Sequence, residues 1–132
     1  MINSRAKGAR GERAFRDVLR EAGYLKARRG AQYSGHVEAP DVLCPELPDI
    51  HWEVKCVEAG NPYNWIEQAL RDSRRIKYPI VAHKRNDKPW LGILYMRELL
   101  EIIRRSDLPI IGESVAIGSN GSSEANGVKP PE

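Results

Sequence analysis

The chain has 132 residues, which is enough for one domain with a hydrophobic core and too few to favour two. Charged residues make up 30% of the sequence and hydrophobic residues 41%, as in soluble globular proteins, and no apolar run is long enough to span a membrane. Residues 1–13 are polar and basic, unlike a signal peptide, so we expect a cytoplasmic protein with free thiols at Cys44 and Cys56.

Basic residues are concentrated in the first 30 positions, although the net charge of the chain is only +3. Such a cluster suits the phosphate backbone of a nucleic acid, but a solvated helix face with a mobile basic arm would have the same composition. The candidate phosphate-binding residues of this region are Lys7, Arg10, Arg13, Arg28 and Arg29.

Apolar periodicity and the glycine and proline breaks predict the element order αβββαββα. The predicted elements are helix 9–22, strand 24–28, strand 41–44, strand 50–57, helix 63–75, strand 79–83, strand 90–95 and helix 96–105. A loop over residues 29–39 precedes Asp41, and strands 41–44 and 50–57 are predicted to form a hairpin. The composition after residue 111 predicts a disordered tail over residues 112–132, following a folded domain of residues 1–111.

The clearest chemical signal is the stretch Trp52-Glu53-Val54-Lys55 in the third strand. Side chains alternate along a strand, so Glu53 and Lys55 share one face, predicted to be charged, whereas Trp52 and Val54 point to the core. Asp41, at the end of the neighbouring strand, can add a second carboxylate. With the Val54 carbonyl, the two carboxylates would form an all-oxygen site suited to Mg²⁺.

A divalent ion held in this way can polarise a phosphodiester and activate water, with Lys55 orienting that water or offsetting the developing charge. Alone, an acid and a lysine two residues apart on an exposed strand are more often a solvated face with a weak surface pair. The nuclease interpretation is favoured by Pro40-Asp41 upstream, by Glu12 on the preceding helix and by Gln68 on the following one.

Several short motifs occur in order along residues 5–105: Lys7-Gly8, Glu12-Arg13, Gly23-Tyr24, Arg28, Asp41 and Glu53-Val54-Lys55. Together they resemble the archaeal-type and bacteriophage Holliday junction resolvases, which belong to the PD-(D/E)xK nuclease superfamily. The resemblance implies an α/β, restriction-endonuclease-like core with a mixed central β-sheet flanked by helices. It also implies a homodimeric, Mg²⁺-dependent endonuclease of DNA recombination and repair, with Mn²⁺ able to substitute, that resolves four-way junctions by paired phosphodiester hydrolysis.

The resemblance also assigns roles to individual residues. It makes Glu12 an outer acid that binds the metal or its water shell, Asp41 and Glu53 direct metal ligands, and Lys55 the catalytic lysine. Gln68 matches a polar helix residue found beside the superfamily's metal site. The remaining matches are Arg13 and Arg28 at phosphate-binding positions and Ser34 near the scissile phosphate, in a loop that also offers Gln32 and Tyr33.

Other residues are predicted to lie outside the site. The spacing of His36, His51 and His83 suggests neither ligation nor a triad, so all three are excluded. The tryptophans Trp52, Trp65 and Trp90 are interpreted as core or interface aromatics.

Two alternatives stay open from the sequence. One is a nuclease that cuts flaps, nicks or a specific duplex site, because fold and metal chemistry transfer more safely than substrate. The other is a non-catalytic DNA-binding module. Neither a membrane nor a nucleotide cofactor is implied as a partner.

Overall fold

The computed structural model describes residues 4–30, 40–74 and 78–112. The chain divides into two units, Met1–Glu98 and Leu99–Glu132, of which the first contains the whole sheet. The predicted boundary between a folded domain and a tail at residue 111 stays a prediction, because residues 113–132 lie outside the described part.

The observed order of elements is αβββαββα, as predicted. The helices and strands are α1 (Ser4–Glu21), β1 (Arg28–Arg29), β2 (Val42–Leu43), β3 (Ile50–Lys55), α2 (Pro62–Ser73), β4 (Tyr78–His83), β5 (Leu91–Ile93) and α3 (Met96–Arg104). Two predicted bounds differ by several residues: α1 begins at Ser4 rather than at residue 9, and the first strand, predicted over residues 24–28, is Arg28–Arg29. The Ala27 amide instead donates to the Tyr24 carbonyl, closing a turn, so extended backbone begins only at Arg28.

The strands form one five-stranded sheet in the order β1-β2-β3-β4-β5. Strands β3 and β4 are parallel and the other neighbours antiparallel, so the sheet is mixed, as the resemblance implied. The β2–β3 hairpin is confirmed. Because parallel neighbours need a crossover connection, the chain between β3 and β4 contains α2, which packs on both strands.

Helices cover both faces of the central strands. On one face Phe15 of α1 packs on Trp52, with ring centroids 5.0 Å apart, in a core that includes the fully buried Val42. On the other face Ile66 and Ala69 of α2 pack with Val81. The tryptophans belong to these packing layers: Trp52 and Trp90 contact Phe15, and Trp65 contacts His83.

Helix α2 begins and ends at clear capping signals. The Asn61 side chain accepts a hydrogen bond from the Tyr63 amide at 2.9 Å, and Pro62 occupies the first turn, where a missing N–H costs nothing. Arg74 ends the helix in the left-handed conformation, with φ of 57°. These caps fix where the helix lies along β3 and β4.

Helix α1 approaches β3 closely at Gly11. A Cβ at this position would lie 2.8 Å from Cys56 Sγ, so only glycine permits the observed spacing. Cys56 and the buried Cys44 are both free thiols, as predicted. The close contact brings the helix residue after Gly11, which is Glu12, towards the carboxyl end of β3.

Helix α3 is amphipathic, and none of its residues is buried. The Ser106 hydroxyl donates to the Ile103 carbonyl at 2.7 Å, so a polar side chain satisfies backbone at the helix end. Within the described ranges, no helix combines the length and the apolar character needed to cross a membrane.

Candidate active site

Asp41 is held against β3 by its backbone and by its side chain. Its amide donates to the Trp52 carbonyl at 3.0 Å, and its Oδ2 accepts from the Val54 amide at 2.9 Å. The Asp41 carboxylate thus accepts the hydrogen bond from the Val54 amide that a backbone carbonyl would accept if β2 were longer. Since the N–H and C=O of one residue point to the same side of an antiparallel ladder, the Val54 carbonyl faces the same edge as Asp41.

Glu53 lies on the α2 face of the sheet and is only 8% exposed. The prediction of one charged face and one core face for β3 did not anticipate that the charged face is itself buried at Glu53. It considered the strand alone, whereas the parallel neighbour β4 and the crossover helix α2 bury the second face as well.

His51 lies two residues before Glu53 on the same face, and its Nε2 is 2.8 Å from Glu53 Oε2. The exclusion of His51 rested on the spacing between histidines, whereas the structure brings its imidazole into contact with the acid on the same strand. Alternation along β3 was the available signal, since it places residues 51, 53 and 55 on one side.

The carboxyls of Glu53 and Asp41 interact strongly. Burial raises the pKa of Glu53 to about 9, and Asp41 contributes through its charge and through a side-chain hydrogen bond. The charge of Asp72 on α2, which was not among the predicted residues, acts in the same direction, whereas Lys55 opposes it. Two adjacent carboxylates in a largely buried position repel each other, so a bound positive charge would stabilise their ionised forms.

The donors at this position fit a divalent cation. Two carboxylates and a backbone carbonyl are hard oxygen ligands, and Mg²⁺ is bound in proteins by one or two carboxylates while it keeps several waters. In the part of the chain that the structure describes, no three histidine, cysteine, aspartate or glutamate side chains form a ready-made cluster. An ion here would therefore rest on Asp41, Glu53, the Val54 carbonyl and water.

Lys55 is the last residue of β3, half-buried on the Glu53 face. Its carbonyl accepts from the Lys84 amide at 3.0 Å, and its register partner on β4 is His83. His83 is bonded through Nε2 to the Val57 carbonyl at 3.1 Å. Lys55 therefore occupies the carboxyl end of the parallel pair, beside the two acids.

Glu12 reaches the site from α1, in the opposite layer. Its Oε1 accepts from Arg29 Nε at 2.9 Å, which joins the helix to edge strand β1. Burial raises the pKa of Glu12, and the charge of Asp41 raises it further, while Arg29 lowers it. Glu12 is thus within electrostatic range of Asp41 and is bonded to Arg29, and its role as an outer acid stays a prediction.

Among the other predicted residues, Gln68 is exposed on α2 without a contact that ties it to the acids. Ser34, together with Gln32, Tyr33 and His36, lies outside the described residues, so its predicted position stays untested.

Four of the predicted phosphate-binding residues occupy exposed positions on α1 and β1: Arg10, Arg13, Arg28 and Arg29. Lys7 is half-buried near Cys56, and the charges of Lys84 and Lys7 both act on that thiol. The sequence analysis did not predict Lys84. This residue follows β4 and adds a positive charge beside the carboxyl end of β3.

Comparison with known proteins helps to identify the family of the chain and the class of reaction that fits this site. No curated protein and no solved structure matches the chain. A family model described as "Phage putative PDDEXK endonuclease" matches residues 3–129, which is most of the sequence. The match agrees with the mixed sheet and its flanking helices. The chain belongs to this phage family of PDDEXK endonucleases, within the PD-(D/E)xK nuclease superfamily.

Proposed function

We propose that this protein is a Mg²⁺-dependent, structure-selective DNA endonuclease that resolves four-way junctions by paired hydrolysis of phosphodiesters. The observation that carries the proposal is the meeting of Asp41 and Glu53 at one position, with Lys55 next on the same strand face. This order of two acids and a lysine agrees with the endonuclease family to which the chain belongs.

Asp41 and Glu53, with the Val54 carbonyl, would hold the cation, and Glu12 would bind its water shell. When bound, the divalent ion supplies electrophilic assistance to the phosphodiester and activates water for attack. Lys55 contributes a fixed ammonium beside the scissile phosphate, where negative charge accumulates in the transition state. Gln68 and Ser34 are secondary candidates for contacts to the phosphate or the attacking water.

DNA binding is assigned to exposed basic residues of α1 and β1. Arg10 and Arg13 on α1 and Arg28 on β1 are exposed, which leaves their charges available to phosphates. Because such contacts release counterions, binding should weaken steeply with salt and should depend on the shape of the DNA more than on its sequence.

A homodimer is part of the proposal. A four-way junction has approximate two-fold symmetry, and a C2 dimer supplies two active sites related in that way. Exposed apolar side chains on α2 and on edge strand β5 offer candidate interface residues, among them Tyr63 with 75% exposure and Leu91 with 56%. Sedimentation equilibrium of the purified protein would test this element directly.

The decisive experiment compares cleavage of a synthetic four-way junction with cleavage of flap, nicked and linear duplex DNA in Mg²⁺ or Mn²⁺. We expect paired nicks in strands of like polarity in the junction. Glu53→Gln and Lys55→Met should lower the cleavage rate at least about a hundredfold while junction binding persists. Cleavage confined to flaps or nicks would favour the alternative nuclease. Binding of the junction without metal-dependent cleavage of any of these DNAs would overturn the enzyme assignment.

A further inference from the structure

We infer that His51 is a positioning residue that fixes the orientation of the Glu53 carboxylate, so that one of its oxygens is presented for metal binding. The inference rests on the proposed function, because it assigns a role within the same site. Neither the family match nor the resemblance to resolvases assigns a role to this histidine.

The first observation is the closeness and burial of the pair. His51 Nε2 lies 2.8 Å from Glu53 Oε2, and the two residues are 3% and 8% exposed. In this setting water cannot readily replace the imidazole as the partner of Oε2, and a buried carboxylate without a partner is strongly unfavourable.

The second observation concerns which oxygen is engaged. Because Oε2 is bonded to the imidazole, that oxygen has less capacity to coordinate a cation. Asp41 also interacts with the Glu53 carboxyl, so the two acids could share one cation. His51 therefore favours coordination of the ion by Glu53 through one oxygen rather than two.

The third observation is the rigidity of the support. His51 pairs in register with Pro79 of β4, which is fully buried, while Glu53 pairs with Val81. Both residues lie in β3, the central strand of the sheet, so their backbones have little freedom to separate. Hydrogen-bond partners of metal-ligating carboxylates typically change metal affinity by about 10- to 100-fold when they are removed.

The test uses two substitutions of equal length. His51→Gln keeps an N–H donor near the position of Nε2, whereas His51→Met keeps the length and removes the donor. Mg²⁺ and Mn²⁺ affinity is measured by calorimetry on the full chain without DNA, and thermal unfolding in EDTA reports folding. We expect His51→Met to weaken metal binding by about 10- to 100-fold and His51→Gln to retain most of the affinity.

A second measurement needs no substitution. Long-range proton–nitrogen NMR spectra of the wild-type protein follow the histidine ring nitrogens during Mg²⁺ titration. The resonances of His51 should shift with the dissociation constant found by calorimetry, and those of His83, which is bonded to the Val57 carbonyl, should shift less.

The possible results distinguish failure of the proposed function from failure of the positioning role of His51. If the wild-type protein bound no divalent ion, both the proposed function and this inference would be overturned. If wild-type metal binding were normal but folded His51→Met bound as tightly as wild type, the positioning role alone would fail. The same conclusion would follow if saturating Mg²⁺ left the His51 resonances unmoved.

Discussion

Arg29 and Glu12 form an ion pair between the edge of the sheet and the first helix, with Arg29 Nε 2.9 Å from Glu12 Oε1. The adjacent residue of the same strand, Arg28, is exposed and projects to the opposite side. Two neighbouring arginines, both predicted from sequence to bind phosphate, therefore occupy different environments. One is bonded to an acid of the site and the other is directed to solvent.

This difference predicts separate effects of the two arginines on the reaction. Arg29→Gln should lower the single-turnover cleavage rate about tenfold or more, because Glu12 loses the partner that orients it. Arg28→Gln should instead weaken DNA binding and reduce the salt dependence of log K by about one unit, with the cleavage rate at saturation unchanged. Rapid-quench cleavage and salt-dependent binding isotherms measure the two effects. Identical effects of both substitutions would contradict the distinction.

Gly11 and Gly8 lie in the same helix but differ in their surroundings. A Cβ at Gly11 would meet Cys56 Sγ at 2.8 Å, whereas nothing lies within 4 Å of one at Gly8. Gly8→Ala should raise the free energy of unfolding by up to about 1 kcal/mol through helix propensity. Gly11→Ala should lower it by about 1 kcal/mol, since the steric conflict outweighs that gain.

Gly11→Ala should also reduce cleavage, because α1 must move and take Glu12 with it. Urea unfolding and cleavage assays check both expectations. Combining Gly11→Ala with Cys56→Ala removes the sulfur atom and should recover much of the lost stability. A double variant no more stable than Gly11→Ala would show that the contact with Cys56 is not the cause.

Gly30 directly follows β1 and is hydrogen-bonded to Asp41. Its amide donates to the Asp41 carbonyl at 3.0 Å, and a Cβ would overlap the carbonyl oxygen of Pro40. A clash with backbone cannot be relieved by a rotamer change, so Gly30→Ala should cost more than about 2 kcal/mol of stability and should displace Asp41.

Gly92→Ala on β5 is the matched control for Gly30→Ala. A Cβ there would meet Ile80 Cγ2 at an ordinary 3.9 Å, so its stability should stay within about 0.5 kcal/mol of wild type. Thermal and urea unfolding distinguish the two variants, and metal calorimetry tests whether the Gly30 change reaches the site. Equal stability of the two variants would contradict the predicted overlap.

The raised pKa of Glu53 predicts how the metal-free protein responds to pH. Between pH 4.5 and about 9 the folded state holds a proton on Glu53 that the unfolded state has lost. The unfolded state therefore binds fewer protons in this window, and stability should fall as pH rises through it. Glu53→Gln removes this dependence and should make the protein more stable than wild type near pH 8 in EDTA, on the order of a few kcal/mol.

Urea unfolding in EDTA from pH 5 to pH 9 measures this effect. Glu67→Gln, at an exposed position of α2, is the control and should follow the wild-type curve. Added Mg²⁺ should stabilise the wild-type protein and Glu67→Gln at high pH, because the metal replaces the proton on Glu53. It should not stabilise Glu53→Gln, which lacks this carboxylate. A wild-type curve that rises between pH 5 and 9 would contradict the assigned direction.

Local patterns along the chain were sufficient to predict the order of elements. Apolar spacing around Phe15 and Leu19 predicts α1, and alternation from Ile50 to Lys55 predicts β3 and places its acid and lysine on one face. These patterns depend on residues a few positions apart, whose relative directions follow from helix and strand geometry. The acid pair and lysine could be proposed as a metal site for the same reason, because short motifs preserve local spacing.

Contacts between distant parts of the chain required the folded structure. The burial of Glu53 follows from the parallel pairing of β3 with β4 and from α2 above them. The ion pair of Glu12 with Arg29 and the side-chain bond of Asp41 to Val54 depend on how α1, β1 and β2 meet β3. All of these contacts depend on strand register and on helix packing. Both are determined by burial of apolar surface across the whole domain rather than by local sequence. The residue types of a candidate nuclease site can therefore be identified in the sequence. Their burial, hydrogen-bond partners and charge states are decided only when the helices pack on the sheet.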